Sequence, residues 1–245
     1  MKKILYIFLF LCVSLYGEDV YATFVSQGVK EANLKLNSSG TVDSIMVDIG
    51  SKVKKGDVLL KIQNNAQTQN VNIQKAQVDA TEQTYQFQKN QFERYEQSKT
   101  AIDKNTFEQI YFNYKKTESD FKVAQATLKY QEELLANTYL IAPFDGVIAS
   151  KTIELGDGVA QNSTELFTLI SNDIKLVLEF DSKYAGKVKV GDTYTFSIDG
   201  SADKRDVKIT KVYPSVDSQN RRLKAEALVN NMMSGIFGDG YIRIK

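Results

Sequence analysis

The hydrophobic and polar positions divide the chain into three segments of different texture. Residues 20–65, and again the residues from Leu140 to the end, contain short alternating apolar runs punctuated by Gly, which is typical of β-strands. Residues 66–136 contain neither Gly nor Pro and are rich in Gln, Lys, Glu and aromatic residues, which predicts helix. The pattern therefore predicts a mainly β protein with a helical insertion.

Apolar residues in the central segment recur at intervals of seven. The register breaks at residues 98–106, where Asn105 or Thr106 is predicted to cap a second helix. Because a seven-residue repeat favours supercoiled helices, we expect a long antiparallel α-helical coiled-coil hairpin, with arms about 50 Å long at ~1.5 Å per residue. A compact helical core is the alternative, but most other positions are polar. The predicted coiled-coil seam consists of Val71, Val78, Tyr85, Phe92, Phe107, Tyr114, Phe121, Leu128 and Leu135.

A second, weaker apolar line runs along the first arm at Ile73, Ala76, Ala80 and Phe87. It is offset by two residues, about 200° around the helix, and so faces away from the first line. This line indicates either packing against a neighbouring copy or partner, or slack in the pairing of two helices, and the sequence leaves both readings open.

The two β flanks contain an internal repeat. Residues 40–62 and 146–170 each carry two glycines ten positions apart and a Val three positions after the second glycine. Two similar β units that cannot each bury an apolar face alone are expected to pack as halves of one small sandwich. Gly50 and Gly156 are predicted to adopt positive φ at turns.

The remaining strands are predicted to close a small barrel, since closure hides strand edges. Five of them lie after the second repeat, and the segment Val20–Lys30 is a candidate sixth. The predicted strands are Ile174–Phe180, Thr193–Ile198, Arg205–Tyr213, Arg221–Val229 and Gly240–Lys245.

Residues 1–17 have the pattern of a secretory signal peptide. Lys2 and Lys3 precede an apolar run, Ile4–Leu15, that is shorter than the ~20 residues a membrane-spanning helix needs. An uncleaved anchor is the alternative. Lipidation at Cys12 is disfavoured because Leu11 before it is not small. The sequence therefore predicts export.

Composition excludes several kinds of chemistry. Lys and Arg number 31 against 30 Asp and Glu, so the formal charge of +1 provides no electrostatic footprint for nucleic acid. The absence of His removes imidazole catalysis, and a single Cys permits no internal disulfide. Met46, Met232 and Met233 are too scattered for a soft-metal site and indicate strand packing. We expect no enzyme activity, no cofactor and no metal.

Four motifs follow one another along the chain. Residues 40–62 resemble the first half of a lipoyl/biotinyl-type domain, and residues 140–148, which contain Ala142-Pro143-Phe144-Asp145-Gly146 as part of I-x-A-P-F-D-G, resemble the start of its second half. Together with the hairpin inserted between the halves and with residues 212–217 and 240–244, they resemble periplasmic adaptor subunits, or membrane fusion proteins, of tripartite efflux systems of the resistance-nodulation-division type. The hairpin is typical of that family, and the last two segments are similar to its β-barrel segment. The resemblance implies an elongated, multi-module chain. Its modules are a split lipoyl-like domain at 33–65 and 137–172, the hairpin at 66–136 and a β-barrel domain at 20–32 and 173–245.

The resemblance also implies a function. The chain is expected to link an inner-membrane efflux transporter to an outer-membrane channel in the periplasm. It would associate into a hexamer-like ring that forms a sealed conduit for drugs or other small molecules. A membrane-proximal domain built from both chain ends in larger relatives is expected to be absent or vestigial. Alternatives are an adaptor of an ATP-driven exporter or type I secretion system, a lipoyl or biotinyl carrier subunit, and a structural coiled-coil envelope protein. A carrier lysine is disfavoured because Lys61 is predicted to be a solvated strand residue.

The turn between the helices is the predicted binding site for the channel. Many family members carry Arg at the tip, then Leu four positions later and Ser seven beyond that. This chain has Arg94 in the matching neighbourhood, Ser98 or Lys99 in place of Leu, and Asp103 about where Ser is expected, with Ile102 as an apolar contact. The alternative for Arg94 is an ion pair with a neighbouring Glu on a hydrated face.

Overall fold

The computed structural model describes residues 18–98 and 103–244 and divides into two compact units. One unit contains residues up to Glu31 and from Ser171 onward, and the other contains Ala32–Ile170. Within the described residues, no helix combines the length and the apolar character that crossing a bilayer requires. The predicted signal peptide at residues 1–17 lies outside the described residues.

Fourteen strands and two long helices make up the described chain. In chain order they are β1 Asp19–Gly28, β2 Glu31–Lys35, β3 Gly40–Ile45, β4 Lys52–Val53, β5 Val58–Ile62, α1 Asn65–Gln97, α2 Lys104–Ala136, β6 Tyr139–Ile141, β7 Gly146–Lys151, β8 Gly158–Val159, β9 Glu165–Ser171, β10 Ile174–Asp181, β11 Thr193–Ile198, β12 Lys204–Val212, β13 Arg222–Val229 and β14 Phe237–Arg243. The expectation of a mainly β protein is confirmed.

Six strands form a closed antiparallel barrel in the order β1-β10-β13-β12-β11-β14. In β1 and β10, alternate residues point inward and are buried, as a small closed barrel requires. Phe24 and Phe196 meet edge to face at 5.0 Å, and the buried Tyr194 hydroxyl donates to the Ala22 carbonyl at 2.9 Å. The predicted barrel is therefore confirmed, with β1 as its sixth strand. β14 begins at Phe237, earlier than predicted, because Phe237 already pairs with Val25 of β1.

A charged network covers part of the outer barrel wall. Glu226 of β13 accepts from Lys175 at 2.7 Å and from the Tyr213 hydroxyl at 2.7 Å, and Lys211 lies 3.5 Å away. Burial by itself would raise the pKa of Glu226, but the hydrogen bonds from Lys175 and Tyr213 outweigh burial and hold the pKa below its ordinary value. The carboxylate therefore stays ionised although little of it reaches solvent.

Two four-stranded sheets form the sandwich of the second unit. Their orders are β2-β9-β7-β4 and β6-β5-β3-β8, so each sheet takes strands from both copies of the repeat. The copies also exchange reciprocal hydrogen bonds: the Gly50 N–H donates to the Ile148 carbonyl at 2.8 Å, and the Gly156 N–H donates to the Val42 carbonyl at 3.1 Å. Gly50 and Gly156 have φ of 83° and 89°, which confirms the predicted turn conformations.

Candidate functional site

The helices leave and re-enter the sandwich at one buried point, beside Asn64 and Thr138. Asn64 precedes α1 and is 3% exposed, and Thr138 follows α2 and is fully buried. The Asn64 amide donates to the Thr138 hydroxyl at 3.0 Å, the hydroxyl donates to the Leu135 carbonyl at 2.6 Å, and the Ile62 N–H donates to the Thr138 carbonyl at 3.1 Å. These bonds attach both helix ends to β5.

Aromatic rings from the two helices contact one another. Tyr85 stacks on Phe121 at 5.5 Å and on Tyr114 at 6.0 Å, while Phe92 stacks on Tyr114 at 5.0 Å and lies 5.9 Å from Phe107. These spacings lie in the range of favourable ring pairs. The contacts join the end of α1 to the start of α2, so the helices run antiparallel.

The structure places the nine predicted seam residues as follows. Five are the rings just described. Val71 is buried, and Val78, Leu128 and Leu135 are half-buried.

The two buried residues of α2, Ile110 and Ala124, are not among the predicted seam residues. Each lies three positions after a predicted seam residue, and Thr117 lies midway between them on the same face. The Thr117 hydroxyl donates to the Asn113 and Tyr114 carbonyls of its own helix, so a polar residue is tolerated there. A seven-residue spacing was present, but Thr117 interrupts it with a polar residue.

The helix ends next to the turn carry the predicted partner-binding residues. Arg94 is exposed in the last turn of α1, and Ser98 is exposed at its C-cap. Glu93, which is the Glu next to Arg94 in the sequence, lies 3.9 Å from Lys89. Lys99 and Ile102 lie outside the described residues.

Asp103 caps α2, so the prediction that Asn105 or Thr106 does so is wrong. The Asp103 backbone is extended, and its carboxylate accepts from the Asn105 N–H at 2.8 Å and the Thr106 N–H at 3.3 Å. A hydrogen bond from the Thr106 hydroxyl, followed by the one from the Asn105 N–H, lowers the pKa of Asp103. The residue two or three positions earlier wins because its side chain reaches both free N–H groups.

A charged triad lies along α2. Glu118 accepts from Lys115 and from Lys122, each at 2.8 Å. The hydrogen bond from Lys115, followed by the one from Lys122, lowers the pKa of Glu118 to about 2. Elsewhere, Lys61 pairs with Asp43 at 2.9 Å. Across residues 18–98 and 103–244, no three His, Cys, Asp or Glu side chains are placed to hold a metal ion.

The arrangement of a sandwich divided by two helices has counterparts among known proteins. Residues 30–171 match the family model described as CzcB-like, barrel-sandwich hybrid domain, which is more than half of the chain. The chain belongs to this family. The resemblance to membrane fusion proteins that the sequence indicated is confirmed.

Individual relatives are more distant. The cobalt-zinc-cadmium resistance protein CzcB of Cupriavidus metallidurans is 29% identical over 214 residues, which cover 82% of this chain but 39% of the relative. The crystal structure of MacA from Actinobacillus actinomycetemcomitans has a TM-score of 0.73 at 21% identity, covering 94% of this chain and 79% of that one. The membrane fusion protein Spr0693 from Streptococcus pneumoniae R6 has a TM-score of 0.71 at 14% identity, covering 92% and 99%.

Proposed function

We propose that the chain is a non-enzymatic periplasmic adaptor that links an inner-membrane efflux transporter to an outer-membrane channel. Family membership supports this role, and the single observation that carries it is the insertion of two 33-residue helices between the halves of the sandwich. The buried bonds at Asn64 and Thr138 root both helices in β strands. In this proposal, residues 1–17 direct export and are removed.

The two helices act in this proposal as a coiled-coil hairpin that presents its turn to the channel. Helices with a seven-residue apolar period bind other helices by the same packing, and polar residues at the end fix the register. Arg94, Ser98, Lys99, Ile102 and Asp103 form the contact surface at the turn. The sandwich and barrel of several copies assemble around a conduit, and a ring multiplies weak contacts into stable attachment.

The cargo is a small molecule or an ion that the transporter delivers. The name of the relative CzcB refers to cobalt, zinc and cadmium, and these cations therefore belong in any panel of candidate substrates alongside organic antibiotics. The adaptor itself seals and couples, so antibiotic or metal resistance is a property of the assembled system.

A photo-crosslinking amino acid at Ser98 in intact cells tests the proposal directly. We expect capture of an outer-membrane protein, identified by mass spectrometry, and export that fails when the gene is deleted. Arg94→Gln is expected to reduce export of the substrate, whereas Lys104→Gln removes an equal charge at a neighbouring helix end and leaves export intact. Capture of cytoplasmic proteins alone, or equal export by both variants and the deletion strain, would contradict the proposal.

A further inference from the structure

A groove of about 480 Å³ lies on the outer wall of the barrel, where β10, β1 and β14 are neighbours. The whole groove belongs to the barrel unit. Sites that bind small organic molecules have volumes of about 300–1,000 Å³, so the groove is large enough for one. Two rows of outward-facing side chains run across the three strands: Val177, Val25 and Phe237 form one row, and Glu179, Thr23 and Asp239 form the next.

Two exposed aromatic residues border the groove, and only one of them has a ring partner. Tyr21 and Phe237 are 49% and 60% exposed. The Tyr21 ring contacts the Tyr241 ring edge to face at 5.6 Å, and its hydroxyl donates to Asp239 at 3.0 Å. Within the part of the chain that the structure describes, no ring packs against Phe237. Most of the Phe237 side chain is therefore available to a ligand.

Every charged residue that lines the groove is acidic. The three are Glu179, Asp199 and Asp239. Lys224 lies 3.3 Å from Glu179 and compensates its charge, whereas Asp199 and Asp239 have no ion pair among residues 18–98 and 103–244. The hydrogen bond to Asp239, followed by burial, raises the pKa of Tyr21, so the phenol keeps its proton and the negative charge stays on Asp239. The groove thus carries two carboxylates without a cationic partner.

These two carboxylates flank Phe237 at the β14 side of the groove. The Asp199 N–H donates to the Phe237 carbonyl at 3.1 Å, and Asp239 follows Phe237 by two positions, on the same face of β14. Arg222 borders the opposite side. It extends from β13, which β10 and β1 separate from β14, and its guanidinium donates to the Thr23 hydroxyl at 3.4 Å. The negative charge is therefore concentrated beside the exposed ring.

The strands on the other side of β14 contribute one more cation near the groove. Lys204 of β12 lies opposite Ser197 of β11 and is exposed. In the described structure it forms no ion pair with Asp199 or Asp239. Both carboxylates therefore remain open to a ligand.

From this arrangement we infer that the groove binds an organic cation of drug size. Its cationic centre lies between Asp199 and Asp239, and its apolar part packs on Phe237 and Val25. Aromatic faces attract organic cations, and a few carboxylates in a mostly apolar site fix their orientation. A bare metal ion fits less well, because across the described residues no three His, Cys, Asp or Glu side chains are placed to hold one. The inference goes beyond the proposed adaptor role, which requires no ligand on the barrel.

Two ions of one shape and opposite charge test the inference on the purified full-length protein. Tetraphenylphosphonium and tetraphenylborate each carry four phenyl rings around a central atom. In calorimetric titrations we expect the phosphonium to bind roughly tenfold or more tightly than the borate, because the groove carries uncompensated negative charge. Equal binding of the two ions, or no binding of the phosphonium at millimolar concentration, would overturn the inference.

A matched pair of charge variants locates the contact. Asp239→Asn keeps an acceptor for the Tyr21 hydroxyl but removes the charge, and it is expected to weaken phosphonium binding roughly tenfold. Asp206→Asn is the control, since Asp206 also lies on the outer barrel wall and accepts a hydroxyl bond, from Thr195 at 2.7 Å, but does not line the groove. Equal affinities of the two variants would contradict the assignment.

Amide spectra and a hydrophobic variant complete the test. The phosphonium is expected to shift the amide resonances of Thr23, Val25 and Gly238, and shifts confined to the sandwich or the helices would overturn the inference. Phe237→Ala is expected to weaken binding at least threefold while the melting temperature stays near that of the wild type, because the side chain is mostly exposed.

A protein side chain is the competing occupant of the groove. A photo-crosslinking amino acid at Tyr21 in cells that captures the transporter, together with failure of the phosphonium to bind, would assign the groove to a protein contact and overturn the inference. That outcome would leave the proposed adaptor function intact. Loss of channel capture from Ser98 would overturn the adaptor function and leave phosphonium binding unaffected, so the two proposals fail separately.

Discussion

The side-chain amide of Asn64 donates a hydrogen bond to the hydroxyl of Thr138 across 74 positions of sequence. Both residues are buried, so the bond cannot be replaced by water without cost. Thr138→Val keeps the shape but leaves the Asn64 amide without an acceptor, and we expect the free energy of unfolding to fall by about 1–3 kcal/mol. Urea unfolding measures the change. The double variant Asn64→Leu with Thr138→Val should lose less than the sum of the single losses, and strict additivity would contradict the coupling.

Two phenylalanines of α1 provide a comparison between inner and outer faces. The Phe92 ring contacts the rings of Phe107, Tyr111 and Tyr114, whereas Phe87 is mostly exposed. Phe92→Ala is expected to lower the free energy of unfolding by about 2 kcal/mol, below the full core value because the ring is half-buried. Phe87→Ala is expected to change it by no more than about 0.5 kcal/mol. Thermal unfolding at low protein concentration measures both, since dilution removes any contribution from self-association. Equal losses of unfolding free energy for the two variants would contradict the different burial of the two rings.

Asp103 is the N-cap of α2, and its replacement tests this role. Asp103→Ala removes the acceptor of two backbone N–H groups, so helix content and melting temperature should fall, while Asp103→Asn keeps an acceptor and most of the stability. Far-UV circular dichroism follows both. The alternative caps are tested by Asn105→Ala, which should leave the melting temperature unchanged. A larger loss for Asn105→Ala than for Asp103→Ala would refute the assignment.

Gly146 of the sequence motif has a steric role in the sandwich. A Cβ atom there would clash with the Ile170 carbonyl oxygen, whereas one at Gly158 would meet no atom within 4 Å. Gly146→Ala should therefore destabilise the protein by about 1–3 kcal/mol, and Gly158→Ala should be tolerated. Neither glycine has a positive φ, so the comparison isolates packing from backbone strain. Chemical denaturation of both variants decides the point, and similar midpoints would argue against it.

The lowered pKa of Glu226 is expected to make the stability of the barrel depend on pH. Its pKa is lowered in the folded protein, so its contribution to stability is present above its ordinary pKa and is lost as the pH falls through the lowered folded value. Glu226→Gln removes the ion pairs with Lys175 and Lys211 and should cost about 1.5–3 kcal/mol at pH 7. The variant should lose less stability than the wild type between pH 7 and acid pH. Parallel stability curves for the two proteins would show that the network does not titrate on unfolding.

Features that depend on regular residue spacing could be predicted from the sequence. The gap between Gly40–Ile62 and its repeat defined the insertion, and the Gly and Val spacing placed the turns at Gly50 and Gly156. Features that depend on side-chain geometry were harder to predict from the sequence. The predicted caps were Asn105 or Thr106 and did not include Asp103; all three residue types favour that position, so only the backbone angles identify Asp103 as the cap.

Contacts between distant residues were not readable at all. Nothing local marks Asn64 and Thr138 as partners, and the burial of Ile110 and Ala124 depends on which rotation each helix adopts. The second apolar line of α1 was visible in the sequence, but its exposure in the folded protein was not, because that depends on which side of α1 faces α2.

The reciprocal bonds from Gly50 to Ile148 and from Gly156 to Val42 cannot form until the second half of the sandwich has been synthesised. The first half of the sandwich emerges from the ribosome with Leu59 and Leu60 uncovered, and its other half follows only after both helices have been translated. Any nascent chain that stops within α2 therefore exposes an apolar sheet surface. We therefore expect that a chaperone shields this surface during synthesis, or that the sandwich folds only after translation ends.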